Sequence, residues 1–159
     1  MRFHLIDRIT ELQPGKLLRA YKNLALGEEY LADHFPGFPV MPGVLMLQTL
    51  VEAGSWLLRL SDDYAFSVIV LREVKNVKYG TFMEPGKRMQ ICVELAEQSG
   101  SVCTFKGKGE VAGQSTVSAR FTLGRYNLRD RDQALASTDE QLVQDLRRHA
   151  RLLLAKGTA

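Results

Sequence analysis

The run Pro42-Gly43-Val44-Leu45-Met46-Leu47-Gln48-Thr49-Leu50-Val51-Glu52-Ala53-Gly54-Ser55-Trp56-Leu57-Leu58-Arg59-Leu60 decides the fold of this chain. From Val44 to about Leu60 it has the length of one long helix, opened by a proline where a missing amide costs least. Val44, Leu45, Met46, Leu47, Leu50, Val51, Trp56, Leu57 and Leu58 cover most of its circumference. A helix apolar nearly all round is buried, so other elements must enclose it. Its single polar stripe is Gln48, Glu52, Ser55 and Arg59, which share a narrow sector at about 100° per residue.

On both sides of this helix the periodicity is that of strands. Ile6 to Leu26 reads as two strands around a turn at Gln13-Pro14-Gly15-Lys16, where proline pre-sets one dihedral and glycine accepts the next. Gly27 to Met41, rich in proline and glycine, reads as an ordered loop with one helical turn. Downstream, Phe66 to Val74, Met89 to Leu95, Val102 to Val111 and Ser115 to Leu123 are apolar or alternating. They are separated by turns at Glu84-Pro85-Gly86-Lys87, Ser99-Gly100 and Ala112-Gly113-Gln114. This spacing predicts an antiparallel meander. The fold class is therefore α+β: an antiparallel sheet wrapped around one long central helix.

After a charged connection at Arg129 to Gln133, Thr138-Asp139-Glu140-Gln141 fits a capping box. It precedes an extra C-terminal helix carrying Leu142, Val143, Leu146, Leu152 and Leu153. The basic far end, with Arg147, Arg148, Arg151 and Lys156, complements the helix dipole. The organisation expected is a main domain over 1–127 and a helical extension over 128–159.

Bulk properties narrow the class. The 159 residues are 45% apolar, 25% charged and 8% aromatic, as in a soluble globular domain. A net charge of +3 is too mild to argue for nucleic acid, and suits a weakly steered encounter with an acidic partner. The apolar run Ala65 to Leu71 is far short of the roughly 20 residues of a membrane helix. Asp7 and Arg8 interrupt any leader-like stretch at the start, so the expected location is cytoplasmic. Cys92 and Cys103 lie in strand-like segments without metal-site spacing, and read as reduced packing residues. No metal, nucleotide or flavin motif is present, and no cofactor is expected.

The chemistry concentrates in His34-Phe35-Pro36-Gly37-Phe38-Pro39-Val40-Met41-Pro42-Gly43-Val44. A histidine sits in a rigid loop that ends where the helix begins with free backbone donors and the positive end of its dipole. Such amides suit a carbonyl oxygen gaining negative charge, and a neutral imidazole suits a base near neutral pH. Each part also has a plain structural reading: an ordinary loop histidine, and a polar stripe facing water. His4 and His149 read as structural or solvated residues.

This stretch closely resembles the active-site segment of the β-hydroxyacyl-acyl-carrier-protein dehydratases of fatty-acid synthesis. That family carries His-Phe-Pro-Gly, then Met-Pro-Gly-Val-Leu, then an acidic helix residue. The likeness extends more weakly over about Phe3 to Leu123, through Ile6-Asp7-Arg8-Ile9, Pro14-Gly15-Lys16, Lys22-Asn23-Leu24, Val77-Lys78-Tyr79 and Pro85-Gly86. The resemblance implies a hotdog fold, a homodimer or trimer of dimers, and sites at the dimer interface. It implies as partner an acyl carrier protein whose phosphopantetheine arm carries a 3-hydroxyacyl thioester, dehydrated to the trans-2-enoyl thioester. By position, His34 matches the catalytic histidine and Gly43 the glycine whose amide holds the thioester oxygen.

One departure is sharp. Gln48 stands where the family has its acid, and Glu52 where it often has glutamine. Glutamine cannot deliver a proton at neutral pH, and a missing general acid costs about 10²–10⁴-fold in rate. Three readings follow: a dehydratase whose acid has moved to Glu52; another thioester reaction in the same pocket, hydrolysis above all; or a non-catalytic acyl-carrier-binding subunit, in a heterodimer whose other chain supplies the acid. Phe35, Phe38, Val44, Phe82 and Met83 are expected to line the acyl site. Lys75, Lys78, Lys87 and Arg88 form either a docking patch or an ordinary solvated surface.

Overall fold

The computed structural model describes residues 4–154; Lys156, counted in the basic end of the tail helix, lies outside them. Strands β1 (Arg8–Gln13) and β2 (Leu17–Asn23) form a hairpin, followed by a single 3-10 turn at Glu29–Leu31. Helix α1 (Gly43–Ser61) leads to β3 (Val68–Tyr79), β4 (Arg88–Ser99), β5 (Val102–Val111) and β6 (Gln114–Tyr126). The tail passes through 3-10 turns at Leu128–Asp130 and Gln133–Leu135 into α2 (Ala136–Leu153).

All six strands form one antiparallel sheet in the order β1-β2-β4-β5-β6-β3. The meander is real only for β4, β5 and β6. The expectation that the Phe66–Val74 strand would adjoin β4 is wrong: β3 pairs with β6 at the far edge. Residues 80–87, extended, span about 26–29 Å, whereas three strand spacings are only about 14 Å. The turn at Glu84 to Lys87 does form, with Gly86 at φ 86°. It ends a crossover rather than a hairpin, because the Leu24 amide and carbonyl pair with Lys87 and Gly86 and steer the chain alongside β2.

The core lies between α1 and the sheet. Cys103, Phe105, Phe121, Leu123 and Val117 come from the sheet, and Leu50, Ala53, Leu57 and Leu58 from the helix. Phe105 and Phe121 stack with centroids 5.3 Å apart. A Cβ on Gly54 would stand 2.9 Å from the Phe121 ring, so this glycine lets the helix sit directly on the sheet. Both cysteines are free and buried, as read from sequence, and burial pushes their thiols up.

The tail differs locally from expectation. No capping box forms at Thr138, because α2 begins earlier, with Leu135 at its N-cap and no side-chain cap. The reciprocal box is instead made by Asn127 and Asp130 around the preceding turn. Asp139 faces inward, fully covered, and accepts hydrogen bonds from the Ser67 hydroxyl and the amides of Leu128 (2.9 Å) and Arg129 (3.0 Å). Burial alone would raise its carboxyl; these donors and the Arg129 guanidinium outweigh that and hold it below the usual range. Farther along, Ala150 and Leu153 enter the core, and Leu154 bridges Ile9 on the β1 edge. The tail thus covers an otherwise open strand edge.

Candidate active site

The loop ahead of α1 is fixed by a few backbone contacts. Phe38 donates its amide to Phe35 O (2.8 Å), Met41 donates to Met83 O (2.9 Å), and Phe35 sits at a positive φ of 52°. A bulky residue in that region is strained, and surrounding contacts must hold it there. Val40 and Met41 are buried and anchor the loop, while Phe35 (60% exposed) and Phe38 (50%) stand out from it. Phe38 meets Phe82, also exposed, edge-on at 5.8 Å. Met83 is fully buried in the core, so it is a packing residue and not part of an acyl wall.

His34 is half-buried, with Nδ1 3.0 Å from Val40 O. A carbonyl only accepts, so Nδ1 carries the hydrogen, and in the neutral ring Nε2 keeps its lone pair. The loop therefore selects one tautomer and orients the ring, which the Phe35 ring flanks edge-on at 4.5 Å. A base held this way by a backbone carbonyl pays no rotational cost when it acts.

At the start of α1, Leu45 and Met46 both bond back to Pro42 O, while Gly43 and Val44 have no helical carbonyl a turn earlier. Gly43 lies against Tyr79 of β3: a Cβ there would meet the Tyr79 ring at 3.0 Å. Sequence reading gave Tyr79 no role. Its contact with Gly43 crosses from one element to another and leaves no local trace. Val44 is 68% exposed, and Gln48, one turn on, is exposed too.

The polar stripe divides in two. Its first member, Gln48, faces outward. Glu52 and Arg59 are half-buried, and Ser55 is buried with its hydroxyl on Val51 O (2.9 Å). The plain reading of the stripe as a water-facing side thus holds only at Gln48. Glu52 accepts the Leu5 amide (2.8 Å) and a long contact from the Trp56 indole (3.5 Å). Burial raises its carboxyl above the ordinary range despite these bonds and the nearby Arg59 and Lys22 charges. Within one chain, His34 stands in the loop that leads to Gly43 at the start of α1, whereas Glu52 lies deeper, beside His4 and His149 under α2.

Strand β3 bears on the same region. No residue of β3 is buried, and Leu71, Val77 and Tyr79 are exposed along it. Of the proposed basic patch, Lys75 pairs with Glu73 and Lys87 with Glu84, and Arg88 stacks on Tyr21 and donates to Asn23. Among the described residues no group of three His, Cys, Asp or Glu is placed to hold a metal, and no helix is long and apolar enough to cross a membrane.

Comparison with known proteins bears on the family and the fold. The 3-hydroxyacyl-acyl-carrier-protein dehydratase FabZ of Clostridium acetobutylicum is 35% identical over 118 residues, covering 74% of this chain and 84% of that protein. FabZ of Myxococcus xanthus is 36% identical over 121 residues, covering 75% and 79%. The solved dehydratase heterocomplex ApeI:P from Xenorhabdus doucetiae superposes with a TM-score of 0.66 at 16% identity, covering 84% of this chain and 90% of that one. The last likeness speaks for the hotdog fold alone. A FabA-like domain profile matches residues 1–120, and together with the FabZ identities it shows that the chain belongs to the FabA-like family of hotdog proteins.

Proposed function

We propose that this chain is a 3-hydroxyacyl-thioester dehydratase of the cytoplasm, acting on acyl groups carried by an acyl carrier protein and working as a dimer or a trimer of dimers. The observation that carries the reading is the His34–Val40 hydrogen bond, which leaves Nε2 as acceptor in the loop that runs into the free amides opening α1. His34 Nε2 takes the proton from the carbon next to the thioester carbonyl, and the resulting charge on the carbonyl oxygen is held by the Gly43 amide. The hydroxyl on the third carbon then leaves as water, giving the trans-2-enoyl thioester. Phe35, Phe38, Val44 and Phe82 supply apolar walls.

Departure of hydroxide needs a proton, and Gln48 has none to give. The raised carboxyl of Glu52, one turn away, is the acid assigned to this step, acting directly or through a water held by Gln48. A second reading has its own support. Glu52 is already engaged by Leu5 and Trp56 while Gln48 faces outward, an arrangement that also suits a partner chain supplying the acid.

Hydration of a trans-2-enoyl thioester by the purified chain separates them. Activity of the chain alone, abolished by His34→Ala and reduced about 10²–10⁴-fold by Glu52→Gln, is the expected result. Activity that emerges only when a second hotdog chain is added supports the heteromeric reading. Release of free thiol without hydration would replace both with a thioesterase.

A further inference from the structure

The deeper half of the α1 stripe forms one wall of a second space, partly open to solvent. Trp56 and Arg59 of α1, His4 of the N-terminal segment, and Leu142, Leu146 and His149 of α2 line a cavity of about 360 Å³. A few polar groups set in apolar walls, at this size, are the usual character of a small-molecule site. Part of the wall is aromatic: His4 and His149 meet edge-on at 4.2 Å, and His149 lies 5.4 Å from Trp56.

Among the residues that line this cavity, Arg59 has a buried donor left unsatisfied. Its Nε is buried and has no hydrogen-bond partner, and its guanidinium lies 5.6 Å from the centre of the Trp56 ring. Burial brings the group down to about 10, so it stays charged at neutral pH. Glu52 attracts this charge, but no hydrogen bond joins it to Arg59 Nε, since the Glu52 oxygens accept from Leu5 and Trp56. A buried charged donor without an acceptor costs more than an ordinary hydrogen bond contributes, so an acceptor from outside would be bound favourably. Glu52 and Asp145, which also border the cavity, oppose a dianion such as phosphate. One negative charge on a short apolar body meets Arg59 and the apolar walls with less repulsion from these two carboxyls than a dianion would.

We infer that the cavity beneath α2 binds a small apolar monocarboxylate, with one oxygen accepting from Arg59 Nε and the hydrocarbon lying on Trp56, Leu142 and Leu146. The site uses neither His34 nor Gly43. Although Glu52 borders it, binding is read and not turnover, so its failure is separate from failure of the dehydratase reading.

The chain contains one tryptophan, so Trp56 fluorescence reports the cavity directly. Titrating the full-length protein with hexanoate is expected to give a saturable change. Hexanol and inorganic phosphate should bind at least about tenfold more weakly, as should hexanoate to Arg59→Met, the scale of one charge-assisted hydrogen bond. Leu146→Phe, which fills the cavity without touching Arg59, should weaken hexanoate similarly, and its thermal melt checks folding. A non-saturable response, or equal titrations by hexanol, overturns the assignment. So does an unchanged titration in Arg59→Met; should that variant fail to fold, an unchanged titration in Leu146→Phe does the same.

Discussion

Gly43 and Tyr79 are in contact so close that a methyl group on the glycine would stand 3.0 Å from the tyrosine ring. The pair ties the first turn of α1 to the last residue of β3, the strand left open at the sheet edge. The amide assigned to the thioester oxygen is thus positioned by a neighbour on a different element.

Gly43→Ala should therefore leave the fold intact while shifting the helix start by a few tenths of an ångström. Misplacing an oxyanion donor lowers turnover by about 10²-fold or more. Tyr79→Ala removes the ring, so the double variant should lose less than the product of the two single losses. Simple multiplicativity in kcat/KM would show that the contact does not position the amide.

Placing the acid back at the outward position should raise activity. Gln48→Glu is expected to increase hydration of the enoyl thioester in the wild-type chain and to restore at least a tenfold loss in Glu52→Gln. If Gln48→Glu is inert in both backgrounds, the helix face does not reach the substrate.

The raised carboxyl of Glu52 gives a pH dependence with a definite sign. An acid works in its protonated form, which is complete below the raised pKa and disappears as pH rises through it. The alkaline limb of dehydration should then lie above the ordinary glutamate range and be absent from Glu52→Gln. An identical limb in both proteins would assign it to another group.

Asp139 predicts the opposite limb for stability. Its carboxyl is held low, so its stabilising effect is present above the unfolded carboxylate range and lost as pH falls through the depressed value. Asp139→Asn should melt below the wild type at neutral pH. That difference should shrink as pH drops below about 4.

Removing residues 128–159 should uncover Trp56 and the β1 edge together. Burying a leucine such as Leu153 contributes roughly 1.5–3 kcal/mol, so the shortened chain should lose at least about that much stability. Its tryptophan emission should shift to the red, and its oligomer size should grow if the freed edge recruits another strand.

By itself the sequence determined the elements and the chemistry available to them. The apolar circumference of Val44 to Leu60, the turns at Pro14-Gly15 and Gly113, and the alternation of β5 are local signals. Each reports the burial or dihedral of its own segment, and the observed elements follow them closely. The His34 loop was legible for the same reason, since its prolines and glycines constrain backbone within a few residues. Tertiary structure alone decided what lies far apart in the chain: β3 beside β6, Tyr79 against Gly43, and Asp139 turned inward to Ser67 and away from a cap. It also split one polar stripe into an exposed Gln48 and a covered Glu52 and Arg59. Helical periodicity tells which residues share a face; what is laid over that face depends on segments, here Leu5 and α2, that local pattern cannot bring together.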